Sequence, residues 1–307
     1  MLDKNRFRYS AAIEALIEKH SDEGNDSMWS VWRDRQVNRN AYGGNYSFVL
    51  GRSDDKDSLV YLNFDTPFDG YAAHAPYTLV TGMTGSGKSS FLRNLILDIA
   101  ITNTPDLAAI KVFDPNGGWA FESLKGLHRL RVESNIETAK SYLDGITKSI
   151  EAHEKLFETL GVKTLEECNR VLGLKKRLMR TFVVIDEIAV WLIDDDFKAK
   201  LLSALKAISS KGWSTGYHLI LATQWPDPRV LPQEVVHYFG NRISLKLPTE
   251  EMSEYALGIK GAENLTDLGH MLAVLSGESH PIQCWVPWLS DEDAERMVTA
   301  IRVAEDR

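Results

Sequence analysis

One octapeptide constrains this chain more than any other feature. Gly82-Met83-Thr84-Gly85-Ser86-Gly87-Lys88-Ser89 fits the pattern G-x-x-x-x-G-K-[ST]. The apolar run Tyr77–Thr81 leads into it, and a helical pattern, SSFLRNLILDIA, leads out. Glycines let backbone N–H groups turn inward around phosphate oxygens. The helix that opens at Ser89 adds its positive dipole end. Lys88 places a mobile cation on a γ-phosphate, and the Ser89 hydroxyl supplies a ligand for Mg²⁺. The candidate nucleotide-binding residues are therefore Gly82, Thr84, Gly85, Ser86, Gly87, Lys88, Ser89 and Ser90, with ATP and Mg²⁺ as the implied cofactors.

Such a loop needs a second acid for the metal, at the end of another buried strand. Thr181-Phe182-Val183-Val184-Ile185-Asp186-Glu187 is a β-branched run that ends in two carboxylates. Asp186 is the candidate for Mg²⁺, and Glu187 for the general base that polarises the attacking water. Gln224 closes another apolar run, LILATQ. It reads either as a γ-phosphate sensor or as a strand-end amide bonded to backbone. Arg242, opening NRISLKL, is a candidate arginine finger for a neighbouring subunit, with Arg229 in PDPRV as the competing choice.

Around these motifs, β-runs alternate with helices. Strands are expected at Tyr77–Thr81, Ala108–Phe113, Thr181–Ile185, His218–Thr223, Arg242–Leu247, His270–Leu275 and Ile282–Val286, preceded by SFVLGR and LVYLNF. A long helix from about Glu137 to Leu160 keeps three-four apolar spacing through Leu143, Ile146, Ile150 and Phe157, and Gly161 follows as its cap. Interleaved strands and helices imply an α/β fold, a mostly parallel sheet covered on both faces. Three parts are expected: a helical and loop extension over 1–46, the main domain over 47–290, and a closing helix over 291–307 with Ser290 as its N-cap. In the extension, Trp29 and Trp32 share one helix face. Either they pack the arm onto the main domain or a neighbouring subunit, or residues 1–48 hold a partner protein.

Lys and Arg number 35 against 43 Asp and Glu, a formal charge of -8. This excludes a generally basic nucleic-acid coat, though not a ring with a small basic pore. The start, MLDKNRFRYS, lacks the apolar core of a signal peptide, and no apolar run approaches a membrane span. With two distant cysteines, Cys168 and Cys284, these features suggest a cytoplasmic chain without its own membrane insertion.

Taken together, these residues resemble the FtsK/SpoIIIE branch of the FtsK–HerA ATPases over roughly 47–297. The resemblance extends beyond the Walker motifs to VFDPNGG at 112–118, HEKLFETLGVKTLEECN at 153–169, GYHLILATQWPDPRVLP at 216–232, GAENLTDLGHMLAV and LSDEDAERM. It implies a RecA-like P-loop core, DNA-stimulated ATP hydrolysis, and a hexameric ring threading double-stranded DNA. Trp225 stands where the family usually carries arginine, and Asn116 where it carries lysine, so positive charge near the site is reduced. With neither N-terminal membrane helices nor a C-terminal winged helix, the chain resembles a motor reduced to its core, of the plasmid, integrative-element or phage kind.

Candidate DNA contacts are Lys175, Lys176 and Arg177 before the acid-bearing strand, with Lys206 and Lys211 after it. Asp194–Asp196 lie close by, and a solvated helix face is the competing reading. Three functions stay open at this point: a DNA translocase serving transfer, packaging or segregation; a protein-moving secretion ATPase; and a HerA-like partner of a nuclease.

Overall fold

The computed structural model describes residues 10–37, 46–54, 58–65, 72–173 and 176–305. Six strands run parallel: β3 (Tyr77–Thr81), β4 (Ala108–Phe113), β5 (Leu130–Glu133), β6 (Arg180–Ile185), β7 (Tyr217–Thr223) and β8 (Asn241–Leu245). Four more extend the sheet antiparallel: β1 (Ser47–Ser53), β2 (Leu59–Asn63), β9 (His270–Val274) and β10 (Ile282–Trp285). The order is β2-β1-β10-β9-β8-β3-β7-β6-β4-β5. The fold is α/β and mostly parallel, as the alternation of runs predicts.

Strand pleating decides which face each residue serves. Phe182, Val184, Ile220 and Ala222 point into one core, whereas Val183, Ile185, Leu219 and Leu221 point into the other. The second core is closed by α4 (Ile136–Leu160), α6 (Ile188–Trp191), α7 (Asp195–Thr215) and α8 (Gln233–Val236). Within α4, Leu143, Ile146, Ile150 and Phe157 are buried. The helix ends at Gly161 in the left-handed region (φ 65°), and Val162 N–H reaches back to the Phe157 carbonyl (3.0 Å).

The first core surrounds α3 (Lys88–Thr102), which is buried on nearly every side. Helices α1 (Ala11–Lys19) and α2 (Met28–Val37) and the last helix α10 (Asp291–Glu305) all contribute to it. Trp29 and Trp32 lie edge-to-face at 5.2 Å and are fully buried there. Of the two readings of this pair, the observed one is packing, and onto this chain's own core. Ser290 Oγ accepts from Asp293 N–H at 3.0 Å at the start of α10. Elements not anticipated from the sequence include β5, α5 (Leu165–Leu172), α9 (Glu250–Leu257) and the short α6 and α8. Among the described residues, no helix is long and apolar enough to cross a membrane.

Candidate active site

Parallel register brings the motifs to one edge. Thr81 lies beside Thr223 and Ser244, and Ile185 beside Leu221 and Phe113. The next residues in each segment therefore gather at the carboxyl ends of the strands, where open α/β sheets bind ligands. Gly82, Asp186 and Gln224 all stand there.

The loop between β3 and α3 demands its glycines. A Cβ on Gly82 would lie 2.6 Å from Ser86 Oγ and 3.0 Å from Leu245 Cβ. Gly87 sits at φ 101° as the N-cap of α3, with Gly269 packed against it. Gly269 also donates to the Ser86 carbonyl (3.0 Å), which ties the loop before β9 to the phosphate loop. That tie was not foreseen; the only signal for it in the sequence is the glycine in DLGHM.

Several features fit this loop to a nucleoside triphosphate with Mg²⁺. Lys88, Ser89 and Ser90 open α3, so their backbone N–H groups have no partner inside the helix. Thr84, Gly85, Ser89 and Ser90 are exposed, and Ser86 Oγ is buried without a hydrogen-bond partner among the described residues. The Ser89 hydroxyl and the Asp186 carboxylate are hard oxygen donors of the kind Mg²⁺ prefers.

The acid pair and the lysine form one cluster. Lys88, itself buried, ion-pairs with Asp186 Oδ1 and with Glu187 Oε1 (2.9 Å). The Asp186 backbone is held on both sides: its N–H donates to the Phe113 carbonyl (2.8 Å), and the Asp186 carbonyl accepts from Trp191 Nε1 (3.0 Å). Glu187 has φ 47°, and among the described residues no other non-glycine has positive φ. A left-handed glutamate costs energy that the surroundings must supply, and such strain clusters at functional sites.

Gln224 belongs to the same cluster. Its Nε2 donates to Glu187 Oε1 (2.5 Å), its backbone N–H reaches Glu187 Oε2 (3.4 Å), and its Oε1 accepts from the Thr84 hydroxyl. The strand-end amide is therefore bonded to the acid and the loop rather than parked on backbone carbonyls. Asp114, which opens the DPNGG loop, accepts from the N–H groups of Asn116 (2.9 Å) and Gly118 (3.0 Å) and shapes that loop.

The other candidates stand apart. Arg242 pairs with Leu79, inside the sheet, and its guanidinium donates to the Phe239 (3.0 Å) and Val236 (3.4 Å) carbonyls at the end of α8. Burial lowers its pKa from the ordinary arginine value. Arg229 is exposed on the loop after β7; its guanidinium makes two bonds to Asp227, both 2.7 Å, and its backbone N–H a third at 2.9 Å. That pairing drives the Asp227 pKa down to about 2.

The basic stretch is largely compensated. Lys211 pairs with Glu154 (2.6 Å), Lys198 with Glu234 (2.8 Å), Lys200 with Asp144 (2.6 Å), and Arg177 with Asp106 (3.8 Å). Lys176 and Lys206 are exposed, and Lys175 lies outside the described residues.

This sheet, phosphate loop and acid pair define a P-loop ATPase. The chain belongs to the FtsK/SpoIIIE family, whose model matches residues 65–270. It is 30% identical over 223 residues to the ESX secretion system protein YukB of Bacillus subtilis (strain 168), covering 70% of this chain and 14% of that one. With the DNA translocase FtsK of Streptococcus pneumoniae the identity is 28% over 241 residues, 75% of this chain and 31% of the relative. The chain thus spans about a third or less of the length of these curated relatives. Among solved structures, the pCW3 conjugation coupling protein TcpA superposes with a TM-score of 0.69 at 22% identity, covering 87% of this chain and 73% of that one. The type VII secretion ATPase EccC of Thermomonospora curvata gives 0.68 at 22% identity, over 84% and 31%.

Proposed function

We propose that this chain is the motor of an ATP-driven double-stranded DNA translocase, hydrolysing ATP at the Lys88–Asp186–Glu187–Gln224 cluster and working as a ring, with a hexamer as the expected size. The observation that carries the motor reading is that cluster, assembled from three distant segments around a strained glutamate. Lys88 holds the γ-phosphate, and leaves the two carboxylates as it does so. Glu187 then takes a proton from the attacking water as its oxygen bonds to the γ-phosphorus and the bond to the β-phosphate bridging oxygen breaks. Gln224 orients Glu187 and reports on the phosphate. Mg²⁺, held by Ser89 and Asp186, would neutralise charge on the phosphate oxygens.

Exposed apolar residues at the nucleotide edge support assembly. Trp119, Ile193 and Leu268, which follow β4, follow β6 and precede β9, are 83%, 82% and 70% exposed. Large apolar side chains left at one edge favour burial against another protein surface. An arginine from a neighbour, Arg242 or Arg229, would complete each site.

DNA as the cargo is supported by the FtsK relatives; the 30% identity to YukB favours a second reading, a protein-moving secretion ATPase. Titrating double-stranded DNA into an ATPase assay separates them. Stimulation by DNA of any sequence, lost as salt rises, is expected from a grip on phosphates. A rate indifferent to DNA would reject the translocase and leave the secretion reading.

A further inference from the structure

We infer that Thr84 is a positioning residue for the catalytic glutamate, acting through Gln224; this rests on the hydrolase reading above. A carboxamide has two ends of similar shape and opposite hydrogen-bonding character. Turned one way, Gln224 offers N–H to Glu187; turned the other, it presents a carbonyl oxygen to a carboxylate, which repels it. Glu187, an acceptor only, settles that choice: Nε2 faces Glu187 Oε1, 2.5 Å away. On the far side Gln224 Oε1 accepts from the Thr84 hydroxyl, which anchors the amide in that place.

Glu187 needs such an external constraint. Its backbone is in the left-handed region, and its carboxylate is met by Lys88, by the Gln224 amide and by the Gln224 backbone N–H. When γ-phosphate draws Lys88 away, the Gln224 side chain (2.5 Å) remains as the shorter of the two contacts that aim Glu187 at water, the backbone N–H being at 3.4 Å. Thr84 sits in the phosphate loop itself, exposed at the nucleotide edge. Glu187 is therefore aimed by the loop that holds the nucleotide, through one hydroxyl and one amide. Thr84 touches no reacting atom in this role.

The test is steady-state hydrolysis by Thr84→Val, which keeps the branched shape and loses the hydroxyl. A hydrogen bond of ordinary net worth favours the anchored position of the amide about fivefold, so kcat is expected to fall about fivefold with the KM for ATP within a factor of two. Thr84→Ser, which keeps the hydroxyl, is expected to restore kcat. In a Gln224→Ala background, Thr84→Val is expected to change nothing further, because no amide remains to be oriented. A raised KM with kcat intact would overturn the inference and make Thr84 a phosphate contact only. An equal loss in the Gln224→Ala background would overturn it as well. Should Thr84→Val fail to melt cooperatively, Thr84→Ala carries the same comparison. A wild-type protein without hydrolysis would instead condemn the reading of the site, which keeps the two failures distinct.

Discussion

Replacing Asp98 with alanine should unfold this protein at a markedly lower temperature, although the residue lies ten positions past the phosphate loop's lysine. Asp98 is fully buried in α3. Its carboxylate accepts from Arg35 Nη1 (2.9 Å), Trp32 Nε1 (3.3 Å) and the Val49 backbone N–H (2.9 Å). One side chain thus fastens α2 and β1 to the phosphate-loop helix. The substitution strands two N–H donors and leaves the Arg35 guanidinium, 1% exposed, without this carboxylate. Removing one partner of a buried ion pair costs about 3–5 kcal/mol. At roughly 2–4 °C per kcal/mol for large domains, the melting temperature is expected to drop by about 10 °C. Thermal unfolding followed by circular dichroism without nucleotide measures it. A drop under about 2 °C would refute the reasoning, because it would mean that the carboxylate does not hold the arm. The double variant Arg35→Met with Asp98→Leu should recover the part of the loss that comes from the unpaired arginine, since apolar replacements of both ionic partners are often neutral or better. Trp32 Nε1 and the Val49 N–H stay stranded in it.

The remaining predictions concern the site. Lys88→Ala should abolish ATP turnover and weaken nucleotide binding, measured by a phosphate-release assay and by nucleotide titration. Glu187→Gln should bind ATP and retain it unhydrolysed, visible as an ATP-loaded species in native mass spectrometry; failure to bind ATP would make Glu187 a metal ligand or a structural residue. Arg242→Ala should bind ATP yet turn over poorly, and mixing it with Lys88→Ala should restore hydrolysis near equal proportions. Mixed assemblies without restored activity would remove Arg242 as a finger in trans and move the test to Arg229.

The strands that carry chemistry were legible because they are buried on both faces and read as near-continuous apolar runs; TFVVI and HLILAT place Asp186 and Gln224 at their ends to the residue. β5 escaped because it is four residues long at the sheet edge, with one buried side chain and no period to detect. The conformation of Glu187 escaped for a different reason. Nothing in IDEIAV requires a left-handed glutamate; the requirement comes from the contacts with Lys88 and Gln224, 99 and 37 residues away in sequence. Much of the candidate site could therefore be named from the sequence, but not how its side chains engage one another. The ion pairing on α7 was not legible either: Glu234, Asp144 and Glu154 answer Lys198, Lys200 and Lys211 from α8 and α4, far away in sequence.

Helix α3 shows why the extensions at both ends bear on the site. Its polar residues Arg93, Asn94 and Asp98 look out of place in a buried helix, and each is claimed by a distant segment. Arg93 bonds Asp291 and the Leu289 carbonyl, Asn94 Nδ2 donates to the Pro287 carbonyl (2.6 Å), and Asp98 holds Arg35. The phosphate-loop helix is thus pinned from the N-terminal arm on one side and the segment before α10 on the other, with Gly269 fixing the loop itself. Across the site, the segment 225–230 is held differently: among the described residues its hydrogen bonds run within itself and to the adjoining Thr223 and Leu231, and Trp225 and Arg229 are exposed. The two walls of the nucleotide edge therefore differ in how far they are tied to the rest of the chain. In the proposed ring, a change driven by γ-phosphate would meet least resistance on the Gln224 side, where Glu187 has left-handed backbone and the exposed Arg229 would move with the segment.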